Sequence, residues 1–331
     1  MKVLVTGGAG YIGSHTVLAL LEAGHEVRVL DSLFRGHAAA VPAGVELVEA
    51  GVGDAEACAR ALSGTEAVLH FAGLLSVAES VREPAWYHRV NVTESEVLLV
   101  AMERAGVRRL VFSSTCATYG VPVQVPIDES HPQKPISPYG ASKLAFERLL
   151  IERAGAGRLR SIALRYFNAA GCDARGRLGE DHHPEDHIVP LAVDAALGRG
   201  PGLTIFGDDY ATDDGTCVRD FIHVDDLARA HVLALAAVDR GEAFQAYNLG
   251  SEKGYSVREV VQAVERVSGR RVPVTVGPRR PGDPPRLVAA AGRAQAALGF
   301  RTELGLDAIV EHTLRWREGH PKGYADRAAT A

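Results

Sequence analysis

The stretch VLVTGGAGYIG, residues 3–13, decides the fold. Its first four residues are apolar or β-branched and predict a short buried strand, and the apolar spacing that starts at Tyr11 predicts a helix. The glycines between them are Gly7, Gly8, Gly10 and Gly13. They satisfy both the GxGxxG and the GxxGxxG spacing. Because glycine lets the backbone turn tightly and approach a pyrophosphate at a helix N-terminus, this stretch predicts a dinucleotide-binding loop.

A carboxylate follows the second predicted strand, residues 26–30. Asp31 lies about 20 residues beyond the glycine loop, where a carboxylate accepts hydrogen bonds from the adenosine ribose and repels a 2′-phosphate. Asp31 therefore favours NAD over NADP. Arg35 is the alternative, since a guanidinium there can hold a 2′-phosphate, but a solvated loop arginine is the interpretation we prefer.

Strand-like and helical patterns alternate over the first half of the chain. The predicted strands are 3–6, 26–30, 46–48, 67–71, 109–112 and 162–165. This alternation predicts an α/β fold with a doubly wound parallel sheet. We expect residues 1–166 to form the nucleotide-binding domain, with 223–250 returning to it. Residues 167–222 and 251–331 are rich in Gly, Asp and His loops and predict a smaller mixed α/β substrate-binding region.

Two crossover segments, 83–105 and 137–154, resemble long helices with apolar residues on more than one face. These apolar residues are Val97, Leu98, Val100, Ala101, Leu144, Phe146, Leu149 and Leu150. A second apolar face predicts a partner beyond the sheet.

The composition excludes several classes of protein. The 331 residues are 47% hydrophobic and 23% charged with a net charge of -5, which indicates a globular protein. The arginines are dispersed, which argues against nucleic acid as a partner. No apolar run is long enough for a membrane span, and the strand at Lys2 leaves no room for a signal peptide. The four separated cysteines fit a cytoplasmic protein without disulfides.

A tyrosine and a lysine stand four residues apart in SPYGASK, residues 137–143. On a helix this spacing puts Tyr139 and Lys143 on one face. A nearby ammonium and an oxidised nicotinamide both favour the tyrosinate, which would then act as a base. The preceding strand ends at Thr115, which would present a hydroxyl to the same pocket.

With these motifs the chain resembles the extended short-chain dehydrogenase/reductases. In the detail of its sequence it resembles the UDP-galactose 4-epimerase family. The most specific shared stretches are HFAGL (70–74), FSSTCATYG (112–120), RYFNAAG (165–171), GEDHHPEDHIVP (179–190) and PRRPGDPP (278–285). The resemblance implies reversible inversion at C4 of a UDP-hexose through a 4-keto sugar, with transient hydride transfer to NAD. Tyr139 would be the base, Lys143 would tune it, and Thr115 would relay the proton. It also implies a homodimer formed through the two long helices.

The resemblance assigns residues to both ligands. For the NAD site it implies Gly7, Gly10, Tyr11, Ile12, Gly13, Asp31, Phe71, Ala72, Gly73, Asn91, Thr115, Tyr139, Lys143 and Phe167. For the UDP-hexose it implies Thr115, Tyr139, Asn168, His187, Thr204, Ile205, Phe206, Arg219, Arg280 and Asp283. Arginines are natural partners for a diphosphate, which supports part of this assignment independently.

Some positions depart from the family pattern. Gly51 stands where an acidic residue usually addresses adenine, and Leu75 where a lysine is often found near the cofactor phosphates. Asp54 is either a substitute for the missing carboxylate or a helix N-cap. Leu287 leaves open whether UDP-N-acetylhexosamines are accepted, because a tyrosine there would argue against them.

Three alternative interpretations remain. A dense cluster, Asp181, His182, His183, Asp186 and His187, has ligand-type side chains, but it lacks a recognisable metal spacing and we expect no metal. A sugar-nucleotide dehydratase would need an acid/base pair after Thr115, where Cys116 and Ala117 stand. A non-catalytic NAD-binding protein on the same fold would be free to lose the Tyr/Lys pair.

Overall fold

The computed structural model describes residues 1–280 and 282–325. Its strands are β1 (Lys2–Thr6), β2 (Glu26–Asp31), β3 (Glu46–Glu49), β4 (Ala67–His70), β5 (Arg109–Thr115), β6 (Arg160–Tyr166), β7 (Asn168–Ala170), β8 (Leu203–Phe206), β9 (Val218–His223), β10 (Phe244–Leu249), β11 (Gly254–Ser256), β12 (Val274–Gly277) and β13 (Arg286–Leu287). Seven of these strands form a parallel sheet in the order β10-β6-β5-β4-β1-β2-β3. From β1 the chain winds outward in both directions, so the predicted doubly wound parallel sheet is confirmed.

The helices are α1 (Tyr11–Glu22), α2 (Ala55–Ala61), α3 (Val77–Arg82), α4 (Pro84–His88), α5 (Ser95–Ala105), α6 (Pro138–Gly155), α7 (Ile188–Ala196), α8 (Val224–Ala237), α9 (Val257–Ser268), α10 (Gly292–Leu298) and α11 (Leu306–Gly319). A π-helical segment, Arg89–Glu94, joins α4 to α5. Within residues 1–280 and 282–325, none of the helices combines the length and the apolar character needed to cross a bilayer.

Both faces of the sheet are covered because side chains alternate along each strand. In β1, Val3 and Val5 lie in a buried cluster with residues of α1 and α8. Leu4 points to the other face and lies in a cluster with residues of α2, α5 and α6. The carboxyl ends of β1 and β4 adjoin at the point where the winding direction reverses, which is where ligands bind in such sheets.

The smaller region is built around β9. This strand pairs with β7 and β13 in parallel and with β11 antiparallel, and β8 pairs separately with β12. Residues of α7, α9 and α11 share one buried apolar cluster beside these strands. Strand β10 lies in the main sheet, so the chain returns there after the first part of the smaller region.

Fewer apolar residues are exposed on the two crossover segments, 83–105 and 137–154, than the sequence predicts. The segment 83–105 is α4, the π-helical segment and α5 rather than one helix. Leu98, Phe146 and Leu150 are all fully buried in the core beneath the sheet. Val97 and Leu149 remain partly exposed and Val100 is 36% exposed. Most of these apolar residues are therefore buried in the core, and Val97, Val100 and Leu149 are the ones that remain at the surface.

Candidate active site

A cleft of about 1390 Å³ runs along the carboxyl ends of the strands and between the sheet and the smaller region. The glycine loop, Asp31, Tyr139 and Lys143 line it from the side of the main sheet. Arg219, on β9, lines it from the side of the smaller region. The cleft therefore brings together residues from both halves of the chain.

The glycine loop is packed so tightly that it has no room for side chains at Gly7 and Gly13. Gly7 has a φ of +72°, and a Cβ there would lie 2.5 Å from the Ala72 nitrogen. A Cβ at Gly13 would lie 2.1 Å from the Gly7 carbonyl oxygen. Gly8 instead packs against the Val29 side chain, whereas Gly7, Gly10 and Gly13 line the cleft. The GxxGxxG spacing is therefore the one that faces the cleft.

Asp31 ends β2 with its carboxylate held by the backbone. One oxygen accepts from the Ala9 nitrogen and the other from the Leu33 nitrogen, each at 2.9 Å. Burial raises the pKa of Asp31, and these two hydrogen bonds oppose the rise. Arg35 also lines the cleft, where it forms a 2.8 Å ion pair with Glu79. Its charge is thus partly neutralised within the protein, which weakens the case for a 2′-phosphate partner.

The predicted acid-base group forms at the start of α6. The Ser137 hydroxyl accepts from the Gly140 nitrogen at 3.1 Å and caps the helix, which positions Tyr139 and Lys143 one turn apart. Burial raises the pKa of Tyr139 to about 12, while a hydrogen bond with Thr115 lowers it. All three side chains line the cleft.

Lys143 is almost fully buried beneath the Tyr139 turn. Its Nζ donates to the Ser113 carbonyl oxygen at 3.1 Å and lies 4.9 Å from the centre of the Phe112 ring. Burial lowers the pKa of Lys143 to about 8, and the charge of Glu147 opposes this shift. A buried ammonium at this position contributes positive charge to the floor of the cleft.

Two of the residues implied for the ligands do not line the cleft. Asn91 lies behind its wall, where its side chain bonds the Leu74 nitrogen at 2.7 Å and the Leu74 oxygen at 3.0 Å. Ile205 is 2% exposed because side chains alternate along β8, so that Thr204 and Phe206 face outward instead. The other implied cofactor and substrate residues, from Tyr11 and Phe71 to Phe167 and Asn168, do line it.

On the side of the smaller region, two arginines lie among polar and aromatic partners. Arg219 forms a short ion pair with Asp283. The guanidinium of Arg280 lies 4.2 Å from the centre of the Phe206 ring. Asn168 donates its amide to the Asp220 carbonyl at 2.8 Å. These contacts hold both arginines at the cleft, where a diphosphate would find cationic donors.

The His-rich loop, residues 179–187, brings together a different set of ligand-type side chains from the set that the sequence indicates. Glu180, His182, Glu185 and His187 place their donor atoms within 4.8 Å of one another. Asp181 turns away and accepts from the Tyr324 nitrogen at 2.8 Å. Burial lowers the pKa of His182, but the carboxylates of Glu180 and Glu185, 3.4 and 3.7 Å from its Nδ1, raise it to about 10. The spacing would also suit a metal, but protonated imidazoles neutralise the two carboxylates without one.

The sequence interpretation missed Glu180 although it lies in the quoted stretch GEDHHPEDHIVP. Its signal was only a carboxylate among several, and its partners were not predictable from spacing. Glu180 lines the cleft and is 1% exposed. Tyr166 was missed as well; it lines the cleft with its hydroxyl in a short hydrogen bond to Ser113.

The positions that depart from the family pattern all have a place in the structure. Gly51, Leu75 and Leu287 line the cleft. Asp54 is the N-cap of α2, because its Oδ1 accepts from the Glu56 and Ala57 nitrogens at 3.0 Å. Of the two interpretations for Asp54, the structure favours the helix cap.

Comparison with known proteins assigns the family. Residues 3–250 match the NAD dependent epimerase/dehydratase family. The chain belongs to this family. Over 330 residues it is also 46% identical to the UDP-glucose 4-epimerase of Lacticaseibacillus casei, a match that covers 99% of this chain and 100% of the relative.

Solved structures of this family have the same fold. The UDP-glucose 4-epimerase of Brucella ovis, in complex with NAD, is 47% identical with a TM-score of 0.92 over 95% of this chain and 97% of that one. The Bifidobacterium longum UDP-glucose 4-epimerase, in complex with NAD+ and UDP, is 37% identical with a TM-score of 0.92 over 98% and 100% of the two chains. The similarity thus extends over both the sheet and the smaller region.

Proposed function

We propose that this chain is an NAD-dependent UDP-glucose 4-epimerase that interconverts UDP-glucose and UDP-galactose. The observation that carries the proposal is the group of Tyr139, Lys143 and Thr115 in the cleft of a chain that matches UDP-glucose 4-epimerases over its full length. The group supplies a phenol, an ammonium and a hydroxyl, which is what proton removal from a sugar hydroxyl requires.

The residues at the glycine loop fit NAD. Gly7, Gly10 and Gly13 line the cleft without side chains, so a pyrophosphate can approach the loop backbone closely at the start of α1. The Asp31 carboxylate would accept from the adenosine ribose. When bound, NAD+ supplies the hydride acceptor and donor at the sugar C4. Asn91 would act indirectly, by holding the Leu74 backbone of the adjoining loop.

Proton transfer falls to the chain's own residues. Burial holds the Tyr139 phenol protonated at neutral pH, so its deprotonation depends on positive charge in the cleft. Lys143 would provide part of this charge from beneath the same turn of α6. Thr115 bonds the phenol and would relay or orient the proton of the C4 hydroxyl. Tyr139 would thus remove this proton and return it after inversion.

Binding of the nucleotide falls to the smaller region. Arg219 and Arg280 would hold the diphosphate, and Asn168 and Asp283 would bond the uridine. Inversion requires a firm grip on the nucleotide and a loose one on the hexose, which must turn over between hydride transfers. We accordingly propose residues 1–166 with 223–250 as the NAD-binding domain and 167–222 with 251–331 as the substrate-binding region.

The test is incubation of purified protein with UDP-galactose, without added NAD, while UDP-glucose is followed by chromatography. The wild type should form UDP-glucose with the cofactor it retains. The variant Tyr139→Phe should lose roughly two to four orders of magnitude in rate, since it lacks the proton-transfer group. It should still retain NAD, measured by release on denaturation.

The matched control is Tyr247→Phe, which removes another buried phenol on β10, outside the residues that line the cleft. It should keep its activity within a small factor. Absence of product from the wild type with added NAD and a panel of UDP-hexoses would favour a diverged substrate or a non-catalytic NAD-binding protein. A 4-keto-6-deoxy product would favour the dehydratase alternative.

A second substrate class is favoured by one position. Leu287 is half-buried at the cleft, and leucine occupies less volume than the tyrosine that would exclude an N-acetyl group at C2. We propose UDP-N-acetylgalactosamine as a further substrate, to be included in the same assay.

We further propose a homodimer formed through α5 and α6 and a cytoplasmic location. Arg153 of α6 bonds Glu96 and Glu103 of α5 at 3.0 and 3.1 Å, so the two helices present one joint surface. Val97, Val100 and Leu149 are partly exposed on these helices. All four cysteines are free thiols, as is usual in a reducing compartment.

A further inference from the structure

Glu180 is a buried carboxylate at the edge of the cleft. Its side chain is 1% exposed, and one of its oxygens forms a short hydrogen bond with His187 Nδ1. The same oxygen lies 3.4 Å from His182 Nδ1. Its other oxygen is buried without a hydrogen-bond partner. A carboxylate in this position needs compensating positive charge, and the two imidazoles are the groups closest to it.

His187 connects this carboxylate to the cleft. Its ring lines the cleft and its side chain is 40% exposed, in contrast to that of Glu180. His187 is also the N-cap residue of α7, whose N-terminal end carries partial positive charge. With Nδ1 bound to Glu180, Nε2 is the atom left to serve a ligand. A proton on both nitrogens makes this atom a charged donor.

Other charged groups surround His187. Glu185 lies 3.9 Å from Nδ1, but Arg317 of α11 forms a 3.0 Å ion pair with it. Asp186 lies 3.8 Å from Nε2 and is more than half exposed, so water screens it. His182 opposes protonation, and Tyr11 of α1 stays neutral because burial and Glu180 raise the pKa of its phenol. Glu180 therefore dominates.

We propose that Glu180 is a positioning residue that holds His187 as a cation, and that His187 donates from Nε2 to the diphosphate of the UDP-sugar. This inference rests on the proposed function. Burial lowers the pKa of His187, but the charge and the hydrogen bond of Glu180, with a smaller contribution from Glu185, together raise it. The cation therefore persists above pH 6.5, the ordinary value for histidine, and nucleotide affinity declines only as the pH rises through this raised pKa.

The test is the variant Glu180→Gln, which keeps the shape and the hydrogen bond but removes the charge. The NAD-containing protein is titrated with UDP by calorimetry between pH 5.5 and pH 8.5. We expect UDP binding to be weaker in the variant above pH 6.5, by about tenfold at the pH where the wild-type ring is still charged and the variant ring is neutral, and nearly equal in both proteins at pH 5.5. The KM for UDP-galactose should rise in parallel, with kcat unchanged.

A second measurement reads the proton directly. The ¹⁵N shifts of His187 in the free protein should show that the cation persists to a higher pH in the wild type than in Glu180→Gln. The matched control, Asp186→Asn, removes an exposed carboxylate next to the same ring and should change UDP affinity less than about twofold. This readout needs no turnover, so it tests the inference even if no UDP-hexose is converted.

Three results would overturn the inference. His187 could titrate near pH 6.5 in the wild type, or Glu180→Gln could lower kcat at constant KM. The third is one tightly bound divalent cation per chain, found by elemental analysis, since a metal rather than a proton would then neutralise Glu180. A fold defect is distinguished from these by the circular dichroism and NAD content of the variant.

Discussion

Gly51 lies two residues after the end of β3 and lines the cleft, in the part that we assign to the adenosine of NAD. A Cβ added there would meet no atom within 4 Å. The neighbouring carboxylate, Asp54, caps α2 and does not replace an acidic side chain at position 51. The residue therefore leaves open space at the position where the resemblance to the family implies an acidic side chain.

We predict that Gly51→Asp strengthens NAD binding. The new carboxylate can accept from the adenine amino group without displacing any atom, which should lower the dissociation constant by roughly three- to tenfold. The measurement is the dissociation rate of NAD from the purified protein. Gly51→Ala is the control, and an equal gain in both variants would assign the effect to backbone stiffening rather than to the carboxylate.

At the scale of elements, one buried ion pair joins α6 to the sheet. Glu147 of α6 is fully buried and bonds Arg165 of β6 through both oxygens, at 2.9 and 2.6 Å. Ser114 of β5 donates to the same carboxylate at 2.5 Å, and Arg165 also donates to Tyr119 at 3.0 Å. Because Tyr139 and Lys143 lie on α6, this network anchors the helix that carries the acid-base group.

We predict that Glu147→Leu lowers the free energy of unfolding by about 3–5 kcal/mol, because it leaves the Arg165 guanidinium buried without its counter-charge. Urea denaturation followed by circular dichroism provides the measurement. The control is Asp239→Asn, which breaks the exposed 2.7 Å pair with Arg109 and should cost less than about 1 kcal/mol. A double variant, Glu147→Leu with Arg165→Met, should recover much of the loss. If the single variant were as stable as the control, the network would not anchor α6.

For the whole molecule, the exposed part of α5 and α6 defines the surface that we assign to a second copy. Arg153 is almost completely buried between the two helices, where it bonds Glu96 and Glu103. Val100 lies between these glutamates in the sequence and is 36% exposed. An apolar side chain on a charged, rigid helix pair is a suitable centre for a two-fold interface.

We predict that the protein elutes with the mass of two chains in size-exclusion chromatography with light scattering, and that Val100→Glu shifts it toward one chain. Burial of a carboxylate in a symmetric interface would bring two like charges together, which strongly disfavours association. Val276→Glu, on β12 of the smaller region and 52% exposed, is the control and should leave the mass unchanged. A monomeric wild type would refute the proposed homodimer.

Local chemistry made part of this protein predictable from its sequence alone. The glycine loop, Asp31 and the Tyr139 and Lys143 pair each lie within one strand-turn-helix unit, so their geometry follows from spacing and backbone conformation. The start of α1 at Tyr11 was predicted for the same reason. Parallel strands separated by helices also determine where the cleft lies, since the winding reverses beside β1.

Only the tertiary structure decided the features that depend on distant packing. Arg219 and Asp283 are 64 residues apart in the sequence yet form an ion pair. Ile205 is buried because the packing of β8 determines which face of this strand points to the cleft. Most apolar residues of α5 and α6 are buried in the core, and the spacing of residues in the sequence cannot show which of them are buried. Glu180 was one carboxylate among many until the fold buried it between two histidines. Burial changes what a side chain does, and burial is a property of the whole chain.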